Sequence, residues 1–170
     1  MAGSLKNGHA NDVETVLARF RHGVGRTVSI EDCDTHYDLG VAYKEMGLFD
    51  DAIGEFKIAA ANPARQCLGE TMIGLCLVEK GDVVTAIDHF KRGLQAAEKT
   101  EREELALYFE IGASYEHLGD LSEALYFFQK VDKRDPGFRG VHNRAQRLQV
   151  HVRGVDRSGA GLANPNGAET

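Results

Sequence analysis

Cysteine is scarce in this 170-residue chain and suits neither of its structural uses. Cys33, Cys67 and Cys76 are odd in number and form no CxxC pair, so neither a complete disulfide framework nor a zinc site follows from them. Reduced thiols in a cytoplasmic protein are the expectation. Long apolar runs are missing as well: no segment approaches the roughly 20 residues that span a bilayer, which excludes membrane insertion by a helix. The N-terminus lacks the basic stretch and apolar run of a secretory signal. Also missing are GxSxG, HExxH, a Walker-type Gly-rich loop and any paired metal-ligand spacing. His36, His89, His117 and His142 lie scattered with no Cys or Asp at ligand spacing, and they read as surface or packing residues. The chain is therefore expected to be no enzyme, with no catalytic residue, no cofactor and no metal.

Basic charge is depleted over most of the length. From Glu31 to Gln129 there are 8 basic against 20 acidic side chains, whereas Lys130 to Ser158 holds 8 basic and 3 acidic. An acidic body disfavours nucleic acid as the main ligand, because phosphate binding relies on clustered Lys and Arg that release counterions. The basic flank, with Arg139, Arg144 and Arg147, reads as a second surface complementary to something acidic. Hydrophobic residues at 42% and charged residues at 27% are ordinary for a folded soluble domain.

What the chain does contain is a repeat. Leu39-Gly40-Val41-Ala42-Tyr43 recurs as Ile73-Gly74-Leu75-Cys76-Leu77 and as Ile111-Gly112-Ala113-Ser114-Tyr115. Each copy is followed at fixed distance by a second Gly (Gly47, Gly81, Gly119), then by Ala (Ala52, Ala86, Ala124) and Phe (Phe56, Phe90, Phe128). Gly40 and Gly74 lie 34 residues apart, Gly74 and Gly112 lie 38 apart, and the four extra residues are expected within Gln95 to Glu104. The second Gly precedes an acidic or hydroxyl residue, Asp50, Asp82, and Asp120 or Ser122, which reads as a helix stop followed by an N-cap. Apolar spacings of three and four fit helices, and no strand-like alternation competes.

These residues at this period closely resemble the tetratricopeptide repeat family over about Cys33 to Pro136. The resemblance implies an all-α, right-handed superhelical solenoid of three helical hairpins (33–66, 67–104 and 105–136). Glycines and alanines would let paired helices approach, and the large residues would fill the rest. His36, Glu70 and Tyr108 hold the family's first large-residue position, so copies one and two depart from it, and Pro63 comes one place early. Flanking elements are expected as an N-terminal helix and linker over 11–32, from Val13, Val16, Leu17 and Phe20 with Gly23 as its stop, and a capping helix over 137–153 with its arginines on the exposed face. Residues 1–10, unstructured or foreign to the natural chain, and a tail over 154–170 are expected to be disordered.

The resemblance also implies that the first helix of each repeat lines a concave binding groove. In copy one its outward residues are Asp34, Tyr37, Asp38, Val41, Lys44 and Glu45. In copy two they are Leu68, Thr71, Met72, Leu75, Val78 and Glu79. Copy three contributes Ala106, Phe109, Glu110, Ala113, Glu116 and His117, and Tyr37, Leu75 and Phe109 are the expected anchors. Some tetratricopeptide domains bind acidic chaperone tails through Lys and Asn on these helices; Tyr37, Val41, Phe109 and Ala113 stand here instead, so that role is not expected. The expected function is a protein-binding adaptor or scaffold whose groove takes a basic amphipathic peptide or a small GTPase. A homo-oligomer built by stacked repeats is the alternative. The run from Asp34 to Gly47 also resembles opening repeats of bacterial scaffolds of pilus, gliding-motility and polarity systems, some of which contact Ras-like GTPases.

Overall fold

The computed structural model describes residues 13–20, 23 and 32–159, with side chains up to residue 154. Residues 13–20 are helical (α1). Six helices then pair off as hairpins: α2 (Cys33–Glu45) with α3 (Phe49–Ala60), α4 (Pro63–Glu79) with α5 (Val83–Gln95), and α6 (Glu101–His117) with α7 (Leu121–Asp132). A 3-10 turn, Phe138–Gly140, leads into α8 (Val141–Gly159), which packs on α7. No strand occurs among the described residues.

Each hairpin turns on the same device. Gly47, Gly81 and Gly119 have φ of 75°, 85° and 81°, the left-handed conformation that only glycine adopts freely. In the first turn Leu48 N–H donates to the Tyr43 carbonyl (2.9 Å) and Gly47 N–H to the Lys44 carbonyl (3.0 Å). This double bond pattern closes a helix C-terminus by satisfying carbonyls that would otherwise be orphaned. Asp82 and Asp120 then cap α5 and α7 by accepting from Thr85 N–H and Glu123 N–H. The first hairpin departs from expectation: α3 starts one residue before Asp50, its N-cap is Leu48, and no side chain caps it.

Steric fit joins the two helices of each hairpin. A Cβ on Gly40 would lie 2.6 Å from the Phe56 ring and one on Gly112 2.9 Å from Phe128, and Gly74 is crowded in the same way by Phe90. Phe56, Phe90 and Phe128 are fully buried, as are Ala52, Ala86 and Ala124. The rings therefore occupy the space a side chain at the glycine would need.

Repeat boundaries differ from those read off the sequence. Pro63 belongs to the first turn of α4, behind Asn62, whose side chain accepts from Ala64 N–H. Proline suits that position because the first helical N–H has no intrahelical partner. The second hairpin thus begins at 63 rather than 67. The third begins at Glu101, behind Thr100, which forms a reciprocal capping box with Glu103. Its four extra residues lengthen α5 by one residue beyond its Phe and extend the linker from two residues to five.

The ends are unlike each other. Val141, Ala145 and Leu148 of α8 are buried against the third hairpin, while His142, Asn143, Gln146 and Arg147 face solvent, as a terminal cap requires. The helix continues to Gly159, past the expected end at Arg153, because a single Gly154 costs a helix only about 1 kcal/mol. On α1, Val13 and Val16 are 60% and 63% exposed, Leu17 is half-buried, and Phe20, itself exposed, lies edge-on to Tyr43 at 6.1 Å. Residue 23 is itself helical, and where that helix ends lies outside the described residues. The expectations for 1–10, for 160–170 and for the linker over 24–31 lie outside the described residues.

Candidate functional site

The first helices of the hairpins form one wall, since α4 touches both α2 and α6. On α2, Asp38, Val41 and Glu45 follow each other at spacings of three and four, so they share one face. Met72, Leu75 and Glu79 occupy the same registers on α4. Val41, Met72 and Leu75 pack partly onto the buried core and stay half-exposed, whereas Asp38, Glu45 and Glu79 are exposed. Leu68 and Lys44 are half-buried, and Val78 is exposed. Thr71 donates its hydroxyl to the Cys67 carbonyl one turn back (2.7 Å).

Tyr37 sits where three helices converge. Its ring packs on Phe56 at 5.6 Å between centroids, and the Arg65 guanidinium of α4 lies 5.5 Å over it. Arg65 Nε in turn donates to Asp34 at 2.7 Å. The Tyr37 hydroxyl is pushed above its ordinary pKa by burial first, with Asp38 and Glu103 adding to the rise and Arg65 opposing it. The N-terminal turn of α6 therefore stands close enough to be felt at α2.

The third repeat is different, because its own C-terminal segment covers it. Phe109 is only 8% exposed, with Phe138 packed on it at 5.9 Å and the guanidinium groups of Arg139 and Arg144 at 5.3 and 5.4 Å. Arg139 donates to Glu110 at 2.5 Å and Arg144 to Glu116 at 2.6 Å. Phe109 is thus a core residue and no exposed anchor, and Ala113 packs beside it against the same cluster. Arg139 and Arg144 turn inward onto α6 instead of forming a free basic surface; a guanidinium gains both a ring face and a carboxylate there. Of the three arginines, Arg147 is exposed and alone has no such contact among the described residues. Beside this covered stretch a cleft of about 880 Å³ opens between Thr100–Arg102, Ala106, Arg134 and Arg139.

Two buried pairs had no counterpart in the sequence reading. His36 Nδ1 lies 2.5 Å from Glu55, and His89 Nδ1 lies 2.7 Å from Glu70. Both histidines are buried, and both pairs join the two helices of one hairpin. Cys67 and Cys76 are buried too, and burial pushes their thiols up in pKa, away from the thiolate that nucleophilic or ligand chemistry needs. No group of three or more His, Cys, Asp or Glu among the described residues is arranged to hold a metal ion. No helix among them is long and apolar enough to cross a membrane.

With this geometry in place, the comparisons are specific about fold. Residues 106–137 match the tetratricopeptide repeat family. The sequence matches none of the curated proteins. Among solved structures, the first tetratricopeptide domain of Spaghetti (RPAP3) bound to an HSP90 peptide, SRMEEVD, aligns with TM-score 0.61 at 17% identity, covering 74% of this chain and 97% of that one. YrrB, a tetratricopeptide protein with an unusual peptide-binding site, aligns with TM-score 0.58 at 20% identity over 85% and 72% of the two chains. The Yersinia enterocolitica secretion chaperone SycD, in complex with a peptide of the translocator YopD, gives 0.58 at 15% identity over 78% and 98%. The chain thus folds as a tetratricopeptide-repeat solenoid, and its third repeat matches that family.

Proposed function

We propose that the chain is a protein-interaction adaptor whose α2–α4 wall holds a segment of a partner protein. The observation that carries this reading is the half-exposed apolar strip of Val41, Met72 and Leu75, mounted on helices whose backs are fully packed. Such a strip offers apolar area without the cost of ordering its own backbone. Structures of the same fold are found with peptides bound, which supports the general role. A setting in bacterial motility or polarity, and a Ras-like GTPase as partner, rest on the resemblance of residues 34–47 alone.

The test is partner retention. A partner held by the wild-type chain is expected to be released at least tenfold more readily from a Tyr37→Ala, Leu75→Ser double variant whose thermal melt stays cooperative. Unchanged affinity for that partner would place its docking site elsewhere.

A further inference from the structure

We infer, resting on the adaptor reading above, that the open half of the wall selects a segment carrying two Lys or Arg residues around a short apolar stretch. The chain's own arginines show what this wall accepts. Arg65 lies over Tyr37 and pairs with Asp34. Arg139 lies over Phe109 and pairs with Glu110, the register equivalent of Asp38. In both cases a guanidinium takes a ring face and a neighbouring carboxylate together.

On α2 and α4 three carboxylates are left over: Asp38, the register equivalent of Glu110, and Glu45 and Glu79, which share a register with each other. Asp38, Glu45 and Glu79 are exposed and enter no ion pair among the described residues. Glu103 adds a further negative charge near Tyr37, and Lys44 is the one cation among the outward residues of α2 and α4. The complement of this surface is positive. Spacing sharpens the prediction: Asp38 and Glu45 stand seven residues apart on one helix face, about 10 Å along its axis at the usual rise. Successive side chains of an extended strand point to opposite faces, so the two basic side chains facing the wall stand about four residues, or about 13 Å, apart; their long stems reach back to the two carboxylates, with Val41 and Leu75 facing the side chain midway between them. The occupant is thus a short extended segment of the form basic, apolar, basic. An acidic tail such as SRMEEVD carries the wrong sign for this stretch of wall.

Selection of a random heptapeptide display library against the full chain tests the inference without knowing the natural partner. The expected winners carry Lys or Arg about four positions apart with Leu, Ile, Phe or Val midway between them. Their affinity should fall at least tenfold on Asp38→Lys with Glu79→Lys, and at 0.5 M salt. Acidic or uncharged winners that are lost on Tyr37→Ala with Leu75→Ser would overturn the charge assignment while leaving the adaptor reading standing. Basic winners indifferent to Asp38→Lys with Glu79→Lys would overturn it equally. No winners, or winners indifferent to Tyr37 and Leu75, would remove the adaptor reading and this inference together.

Discussion

Replacing Phe90 by Ala is expected to destabilise the chain by about 3–5 kcal/mol, the range for deleting a buried aromatic ring. Phe90 is fully buried and belongs to the core that joins the first two hairpins. Total stability for a domain of this size is of order 5–15 kcal/mol, so the loss is a large fraction of it. The ring also explains Gly74. Alanine is normally better in a helix than glycine by about 1 kcal/mol, yet a Cβ at 74 would press into the edge of Phe90. Overpacking of this kind costs about 1–3 kcal/mol, so Gly74→Ala is expected to destabilise despite its helix propensity. Gly54 lies in α3 with nothing within 4 Å of an added Cβ, and there the same substitution should stabilise. Urea titrations of the three variants check the signs. A Gly74→Ala variant as stable as Gly54→Ala would show that the ring does not hold the place assigned to it.

Exchanging the two members of the buried pair in the second hairpin should restore what either single change destroys. Glu70 and His89 have side chains 13% and 9% exposed. Removing one partner of such a pair leaves the other buried without compensation, which costs about 3–5 kcal/mol. Glu70→His sets two imidazoles against each other, and His89→Glu sets two carboxylates together. The double exchange reproduces the first hairpin, where the histidine, His36, is on the first helix and the carboxylate, Glu55, is on the second. The coupling between the two substitutions, read from denaturant unfolding of all four forms, is therefore expected to be strongly favourable. Additive losses would mean that the pair contributes nothing as a pair. The third hairpin solves the same position with an apolar contact, Tyr108 against Phe127 at 6.2 Å.

The architecture was legible because close packing leaves a periodic mark. A glycine under each phenylalanine and a second glycine at each turn are steric requirements, and they recur at fixed intervals whatever surrounds them. The polar pairing was less visible. His36 and Glu70 stand where the family pattern has a large apolar residue, and their partners, the residues just before Phe56 and Phe90, lie 19 residues away in sequence. Glu55 and His89 hold that second register with the two residue types interchanged, and that exchange is the signal both pairs leave. Thr100 and Glu103 carry a readable capping signature inside Gln95 to Glu104, the stretch expected to hold the four extra residues. The burial of Phe109 could not be read from its own repeat, because it depends on where Phe138, Arg139 and Arg144 come to rest. The same holds for the arginines, whose place against Glu110 and Glu116 is decided by the packing of α8 on α7.

The central claim is that a partner segment lies along α2 and α4. Backbone amide chemical shifts of the full isotope-labelled chain, followed during titration with a bound peptide, address it directly. Shifts concentrated at Tyr37, Val41, Met72 and Leu75, with α3, α5 and α7 unmoved, are the predicted result. Shifts centred on α5 and α7, with those four residues silent, would contradict it.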